Sequence, residues 1–184
     1  MLDYLLPRLP KLLVVLADPF GSGLYNSIKY GVMYSSTEKE GTRRRHQVDS
    51  LVEGIGMNRL TRNFEVGQDR IQEAVKVTDA MAVGMGRWLI QSDGSISLYI
   101  SDESTGLFVG SSSCVNLCAA VHIARQLGPG HRIVTFLCDS GARHLSKFYN
   151  DEWLREQGIE VLDRYDDLSF LDHAQDAQNI LREK

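Results

Sequence analysis

Between Gly106 and Asn116 a short apolar segment, Leu107-Phe108-Val109, passes through Gly110 into three consecutive serines, Ser111 to Ser113, and then into a stretch with helical spacing. The pattern predicts a strand over 107–109 and a helix from about Ser113 to Leu127, with Val115, Cys118, Ala119, His122 and Ile123 on one face and Gly128-Pro129-Gly130 as terminator. A strand that feeds straight into a helix of this length constrains the fold, because such a chain rejoins its sheet only after crossing one of the faces. Serine hydroxyls at the turn suit two roles: capping the free N–H groups of the helix, or meeting a ligand at the carboxyl edge of the sheet.

The same unit recurs along the chain. Leu12 to Ala17 is a continuous apolar run that stops at Asp18-Pro19-Phe20-Gly21-Ser22-Gly23, the pattern of a buried parallel strand ending in a turn. From Tyr25 to Thr61 there is little sustained periodicity, and Gly31, Gly41, Gly54 and Gly56 predict loops that cross a surface or approach something closely. Glu73 to Val77 predicts a strand, followed by a helix capped by Asp79 that carries Met81, Val83, Met85, Trp88, Leu89 and Ile90 and stops at Gly94. Arg132 to Cys138 predicts a strongly apolar strand, with Asp139-Ser140-Gly141-Ala142-Arg143-His144 at its carboxyl end as a second candidate site. A short helix over 150–157, a last strand over 159–162 and a terminal helix over 172–182 complete the pattern. Strands alternating with helices predict an α/β fold, a parallel sheet with flanking helices in three layers.

The length of 184 residues, with 43% hydrophobic and 24% charged, fits one domain with a real core. A net charge of −4 provides no broad positive field, so nucleic-acid and anionic-membrane partners are not expected. Arg43-Arg44-Arg45-His46 is the only basic run, and it reads as a solvated face or an anion clamp. The apolar run near the amino terminus is too short for a bilayer, which takes roughly 20 residues, and no targeting signal is read there. Cys114 and Cys118 sit at helical spacing among apolar neighbours and read as core thiols rather than metal ligands. There is no G-x-G-x-x-G after the first strand, no G-x-x-x-x-G-K-[ST] and no G-x-S-x-G, which removes the main support for dinucleotide, nucleoside-triphosphate and serine-hydrolase readings.

Val14-Val15-Leu16-Ala17-Asp18-Pro19, then Glu53-Gly54-Ile55-Gly56, then Gly106 to Asn116, then Cys138-Asp139-Ser140-Gly141 with Ser146-Lys147-Phe148, stand in the order found in cysteine synthases. With the string G-T-R-R-R-H-Q at Gly41 to Gln47, the chain resembles the carboxyl-terminal half of a pyridoxal-phosphate-dependent β-synthase of the fungal type. The resemblance covers nearly the whole chain. It implies an incomplete version of the larger domain of the tryptophan synthase β-subunit-like fold, pyridoxal phosphate as cofactor and an amino-acid substrate such as O-acetylserine. Matched residue by residue, it makes Gly110 the first glycine of a G-x-S-S/A-G segment and Ser112 the partner of the pyridine nitrogen. Cys114 stands where bacterial relatives have glycine, which leaves the register between Ser112 and Ser113 open. A neutral hydroxyl there leaves the pyridine unprotonated and favours β-elimination. Asp139 and Ser140 resemble residues on the ring side of the cofactor, with an Asx turn or helix cap the alternative for Asp139. Gly54, Ile55 and Gly56 resemble a loop beside the substrate, and Arg143 and Lys147 match positions of structural role.

The family's Schiff-base lysine in an S-x-K-D/N setting, its asparagine loop and its G-T-G-G-T phosphate loop are not among these residues, and none of the six lysines has the required neighbours. The sequence thus reads as a fragment beginning just after the phosphate loop, inactive alone, with no catalytic residue of its own. It would pair with an amino-terminal half or form a family-like homodimer, in the cytoplasm or mitochondrion; the alternative is a truncated gene product. Ser95 to Thr105 intervenes where relatives run almost directly from a helix into G-L-F-V-G, and we read it as translated intervening sequence or a surface hairpin. Transcript sequencing is expected to find the segment spliced out of most messages; abundant messages that retain it would overturn the intervening-sequence reading.

Overall fold

The computed structural model describes residues 2–35, 48–91 and 107–172. Gly41 to Gln47, Gly94, Gly106, the 95–105 segment and residues 173–182 of the expected terminal helix lie outside them. The chain divides into two compact units, one of residues 1–50 and 55–76, the other of 51–54 and 77–184.

The first unit is built on β1 (Val15–Pro19) hydrogen-bonded in parallel to β2, which begins at Glu73 and ends at Val77. β2 matches the expected strand. β1 starts three residues later than the apolar run because the Gln72 side chain takes the flanking backbone: Val14 N–H donates to Gln72 Oε1 at 2.8 Å, and Gln72 Nε2 donates to Leu12 O. Three helices accompany the strands: α1 (Leu2–Leu5), α2 (Leu24–Tyr30) and α3 (Arg62–Gln68). Helix α2 corrects the expectation of an irregular stretch from Tyr25 onward. A helix of seven residues is too short to show periodicity, and long-range bonds stabilise it. Its Tyr25 N–H donates to Asp18 Oδ2 at 2.8 Å, and Gly31 closes it in the left-handed region at φ 72°. Thr61 caps α3 by accepting from Phe64 N–H.

Two polar groups organise the turn after β1. The Ser22 hydroxyl donates to Met57 O at 3.0 Å and accepts from Met57 N–H at 2.9 Å, and Lys76 Nζ donates to Ser22 O at 2.7 Å. Asp18 is fully buried and its Oδ1 has no hydrogen-bond partner among the described residues. Burial raises its carboxyl above the ordinary 3.8, opposed by the neighbouring Ser22 and by the bond from Tyr25 N–H. Burial also lowers the Lys76 amine, with Asp18 pulling the other way.

The second unit packs α4 (Asp79–Gln91) against α5 (Ser111–Leu127). Met81, Ala82, Val83, Met85 and Leu89 of α4, with Val115, Cys118, Ala119 and Ile123 of α5, are buried, at about 1.5–3 kcal/mol for each large side chain. Gly86 lets the faces meet, since a Cβ there would stand 3.1 Å from Phe148 Cε1 and 3.3 Å from Cys114 Sγ. Thr78, not Asp79, caps α4 by accepting from Met81 N–H, while Asp79 Oδ2 accepts from Leu51 N–H. A 3-10 turn, η1 (Gly141–His144), α6 (Asp151–Glu156) and a second turn, η2 (Ser169–Leu171), follow. Asn150 caps α6 as the expected helix requires, by accepting from Trp153 N–H.

Three expected strands do not form as strands. Leu107–Val109 contributes only an isolated antiparallel bridge from Val109 to Ser140. Residues 132–138 have no sheet partner among the described residues, and 159–162 turn away after Gly158 at φ 79°, with Leu162 N–H donating to the Tyr165 hydroxyl. Their composition suits a sheet interior, but a strand exists only where a neighbour offers its N–H and C=O groups. The α/β class holds, with a two-stranded parallel sheet and flanking helices.

The raised Asp18 carboxyl has a calculable consequence. Its stabilising contribution is fully present below the ordinary 3.8 and is lost as pH rises through the folded-state value. Asp18→Asn lacks that dependence, so its stability relative to the parent is expected to grow as pH rises through this window; a pH-independent difference in denaturation would contradict the assignment.

Candidate functional site

The site is built where the chain enters α5. Gly110, extended at φ −71° and ψ 164°, is the N-cap and makes no side-chain cap. Its N–H donates to Asp139 O at 2.8 Å, and its carbonyl accepts from Ser113 N–H and Cys114 N–H. The absence of a Cβ is required, since one would overlap Asp139 Oδ1 and stand 3.0 Å from His144 Nε2. The facing segment is tied on at further points: Gly141 N–H donates to Phe108 O, and the Tyr149 hydroxyl donates to Val109 O at 2.5 Å.

The three serines are not caps, which removes one of the two roles open to them. All lie within the first turn of α5, and their hydroxyls face different neighbours. Ser111 Oγ accepts from Glu53 N–H at 3.2 Å. Ser113 Oγ accepts from Cys138 N–H at 2.8 Å. Ser112, only 7% exposed, has no hydrogen-bond partner for its hydroxyl among the described residues. It is the one serine of the turn with no structural duty, at the end of the helix where the dipole is positive.

Asp139 does not cap η1. Ser140 does, by accepting from Ala142 N–H. The Asp139 carboxylate instead meets His144 Nε2 at 2.9 Å, and that imidazole is buried. His144 and Ser111 carry bonds that sequence reasoning assigned to neither; the signal for His144 was its place five residues after Asp139 in the second candidate stretch. Lys147 pairs with Glu53 Oε1 at 2.9 Å, and that bond holds the Glu53 carboxyl below its usual range. The structural role expected of Lys147 is therefore concrete: it ties residues 51–54 to the segment after η1. Arg143 is exposed.

Gly54 in the second unit, at φ 80°, has open space around its Cα, while Glu53 beside it is bonded to Ser111. Gly56 belongs to the first unit, at φ 87°, where a Cβ would collide with Pro19 Cγ at 2.6 Å. Ile55 between them is half-buried. Ser112, Ser113, Asp139 and Gly54 thus share one unit, and Gly56 serves the turn after β1.

Cys114 and Cys118 are buried, as core thiols should be. Burial pushes the Cys114 thiol up to about 12 despite a contact with the Tyr149 hydroxyl, and pushes Cys118 and that phenol up as well. The Phe108 and Phe148 rings meet Tyr149 tilted and edge-on, at 4.7 and 5.2 Å between centroids, and hold the phenol whose hydroxyl reaches Cys114 Sγ and Val109 O. Among the described residues no group of His, Cys, Asp and Glu could hold a metal ion, and no helix is long and apolar enough to cross a membrane.

No family model matches the chain. It is 58% identical over 146 residues to cysteine synthase 2 of Emericella nidulans, covering 79% of this chain and 31% of that protein. It is 54% identical over 156 residues to cysteine synthase 2 of Schizosaccharomyces pombe, covering 85% and 36%. The chain therefore spans about a third of the length of the curated relatives it matches. Among solved structures, the O-acetylserine-dependent cystathionine β-synthase of Helicobacter pylori superposes with a TM-score of 0.54 at 26% identity, over 79% of this chain and 37% of that one. An O-ureido-L-serine synthase superposes at 0.56 with 18% identity, over 86% and 42%, a likeness of fold.

The Gly110 contact is testable. Gly110→Ala is expected to cost roughly 1–3 kcal/mol through overpacking against Asp139 and His144. Denaturant unfolding checks this, and a loss within experimental error would show that Asp139 is not held against the turn.

Proposed function

We propose that this chain, a member of the pyridoxal-phosphate-dependent cysteine synthase family by its matches to the fungal enzymes, is the carboxyl-terminal part of such a domain and holds the pyridine side of the cofactor site. The observation that carries this reading is the Ser112 hydroxyl, on a largely buried residue and without a partner among the described residues, in a turn where the hydroxyls of Ser111 and Ser113 are both engaged. A hydroxyl not used by the protein is free to donate to a ligand, and a neutral aromatic nitrogen is a fitting acceptor. When bound, pyridoxal phosphate supplies the electron withdrawal that lets a β-substituted serine shed its substituent on the way to cysteine.

The chain's own residues hold and orient. Ser112 donates to the pyridine nitrogen, and because a hydroxyl is not acidic enough to protonate it, that nitrogen stays neutral. Asp139 and His144 keep the turn in place from behind, a role the 2.9 Å bond and the Gly110 approach support. Ser113 binds Cys138 N–H and supports the loop rather than the ring, which favours Ser112 over Ser113 as the nitrogen partner. Gly54, Ile55 and Gly56 are proposed to border the substrate, with the free space at Gly54 in favour.

No lysine here is proposed to carry the cofactor. Lys29 pairs with Glu73, Lys76 with the Ser22 carbonyl and Lys147 with Glu53. The covalent attachment and the phosphate cradle are assigned to the complementary part of the domain, so the chain alone is proposed to be inactive. Homodimerisation is proposed by family likeness alone. A Saccharomyces cerevisiae relative, 52% identical over 138 residues, is named as a mitochondrial cysteine synthase, which favours a mitochondrial over a cytoplasmic address.

Titration with pyridoxal phosphate followed by absorbance is expected to show weak binding, reduced about tenfold in Ser112→Ala by loss of one hydrogen bond to a buried acceptor. Ser113→Ala is expected to lower unfolding stability instead, by about 1 kcal/mol. Equal binding by Ser112→Ala and the parent would overturn the assignment of Ser112. Turnover of O-acetylserine by the chain alone at the rate of a complete enzyme would overturn its inactivity.

A further inference from the structure

We propose that Tyr149 is a positioning residue for the cofactor turn: its hydroxyl fixes where residues 109–112 lie, and so where the Ser112 hydroxyl meets a pyridine nitrogen. This rests on the reading of Ser112 as the nitrogen partner.

Val109 is paired with the facing segment along one edge. Phe108 O accepts from Gly141 N–H at 3.1 Å and Gly110 N–H donates to Asp139 O at 2.8 Å, so that segment takes the groups on either side of Val109. Successive carbonyls of an extended chain point to opposite edges, which turns Val109 O away from it. Among the described residues the donor that reaches Val109 O is the Tyr149 hydroxyl, at 2.5 Å. Val109 is buried, and its carbonyl needs such a donor. The same hydroxyl lies 4.0 Å from Cys114 Sγ in the first turn of α5. One phenol thus touches the chain both before and after Ser112.

The phenol is itself held from several elements. The Arg87 guanidinium of α4 lies 5.4 Å from the ring centroid and is paired with Asp151 of α6 at 2.5 Å. Tyr149 N–H donates to His144 O of η1 at 3.1 Å. A Cβ at Gly86 would stand 3.0 Å from the hydroxyl oxygen, so α4 closes the space behind it. Burial raises the phenol above its ordinary 10.0, so it keeps its proton and remains the donor that a carbonyl requires. A hydrogen bond weakens steeply as its angle closes, so a small shift of the turn is enough to spoil a bond from Ser112. Removing the Tyr149 hydroxyl releases Val109 O and permits that shift, while the ring contacts stay in place.

The test titrates the full chain with pyridoxal phosphate and with its 1-deaza analogue, in which C–H replaces the ring nitrogen. Both probes carry the same aldehyde and phosphate, so the ratio of their dissociation constants isolates the nitrogen. The parent is expected to prefer pyridoxal phosphate about tenfold, the worth of one hydrogen bond. Tyr149→Phe is expected to cut that preference to about twofold while binding the analogue as the parent does. A 4-aminophenylalanine in place of Tyr149 returns a donor to Val109 O and is expected to restore the preference. In Ser112→Ala, where the preference is already gone, adding Tyr149→Phe is expected to change nothing further. A merely structural role lowers both affinities alike, so equal losses for the two probes overturn the proposal. Should Tyr149→Phe not fold, the 4-aminophenylalanine chain decides: an unchanged preference upholds a donor at this atom, and a preference lost with the analogue still bound overturns it. A parent that binds both probes equally, or neither, overturns the Ser112 reading and this proposal with it. A parental preference that Ser112→Ala abolishes and Tyr149→Phe spares overturns the positioning role alone.

Discussion

The missing side chain at Gly110 is the constraint on which the second unit's site depends. It lets the Asp139 carboxylate lie against the start of α5, and a string of bonds follows from that approach. The Asp139 carbonyl takes the Gly110 N–H, its carboxylate takes the His144 imidazole, and Ser113 takes the Cys138 N–H. The Gly110 N–H is taken by the facing segment, and the Ser111 and Ser113 side chains bond to other segments rather than to the end of their own helix. Ser111 and Ser113 then brace neighbouring segments, and the hydroxyl of Ser112 is left over.

That division of labour links packing to function. A cap serine uses its oxygen on its own helix and has less to offer a ligand. Here the cap is a glycine, and the helix end is held by tertiary bonds.

The segments that fail as strands follow from the same physics. β1 and β2 pair because each finds a parallel neighbour; residues 132–138 carry as strong an apolar pattern and find none among the described residues. Apolar composition states that a segment ought to be buried between layers, and the layers come from elsewhere in the fold. The exposure of Val134 and Phe136 is therefore a property of what surrounds them rather than of their own preference.

The sequence by itself determined the α/β class, strand β2, helices α4, α5 and α6, the buried pair Cys114 and Cys118, and the likeness to cysteine synthases, because these rest on local periodicity and ordered motifs. It placed Ser112, Ser113 and Asp139 as candidates without separating their duties. Only the tertiary structure decided those, since Ser111 and Ser113 bind groups 58 and 25 residues away, and His144 joined Asp139 through a turn whose path no spacing rule predicts. Helix α2 was hidden for a like reason: its N-terminus is held by Asp18, seven residues before Tyr25 and on the preceding strand. Periodicity records which face of an element is apolar; the partner of a given hydroxyl or strand edge is a long-range fact, settled when the chain closes on itself.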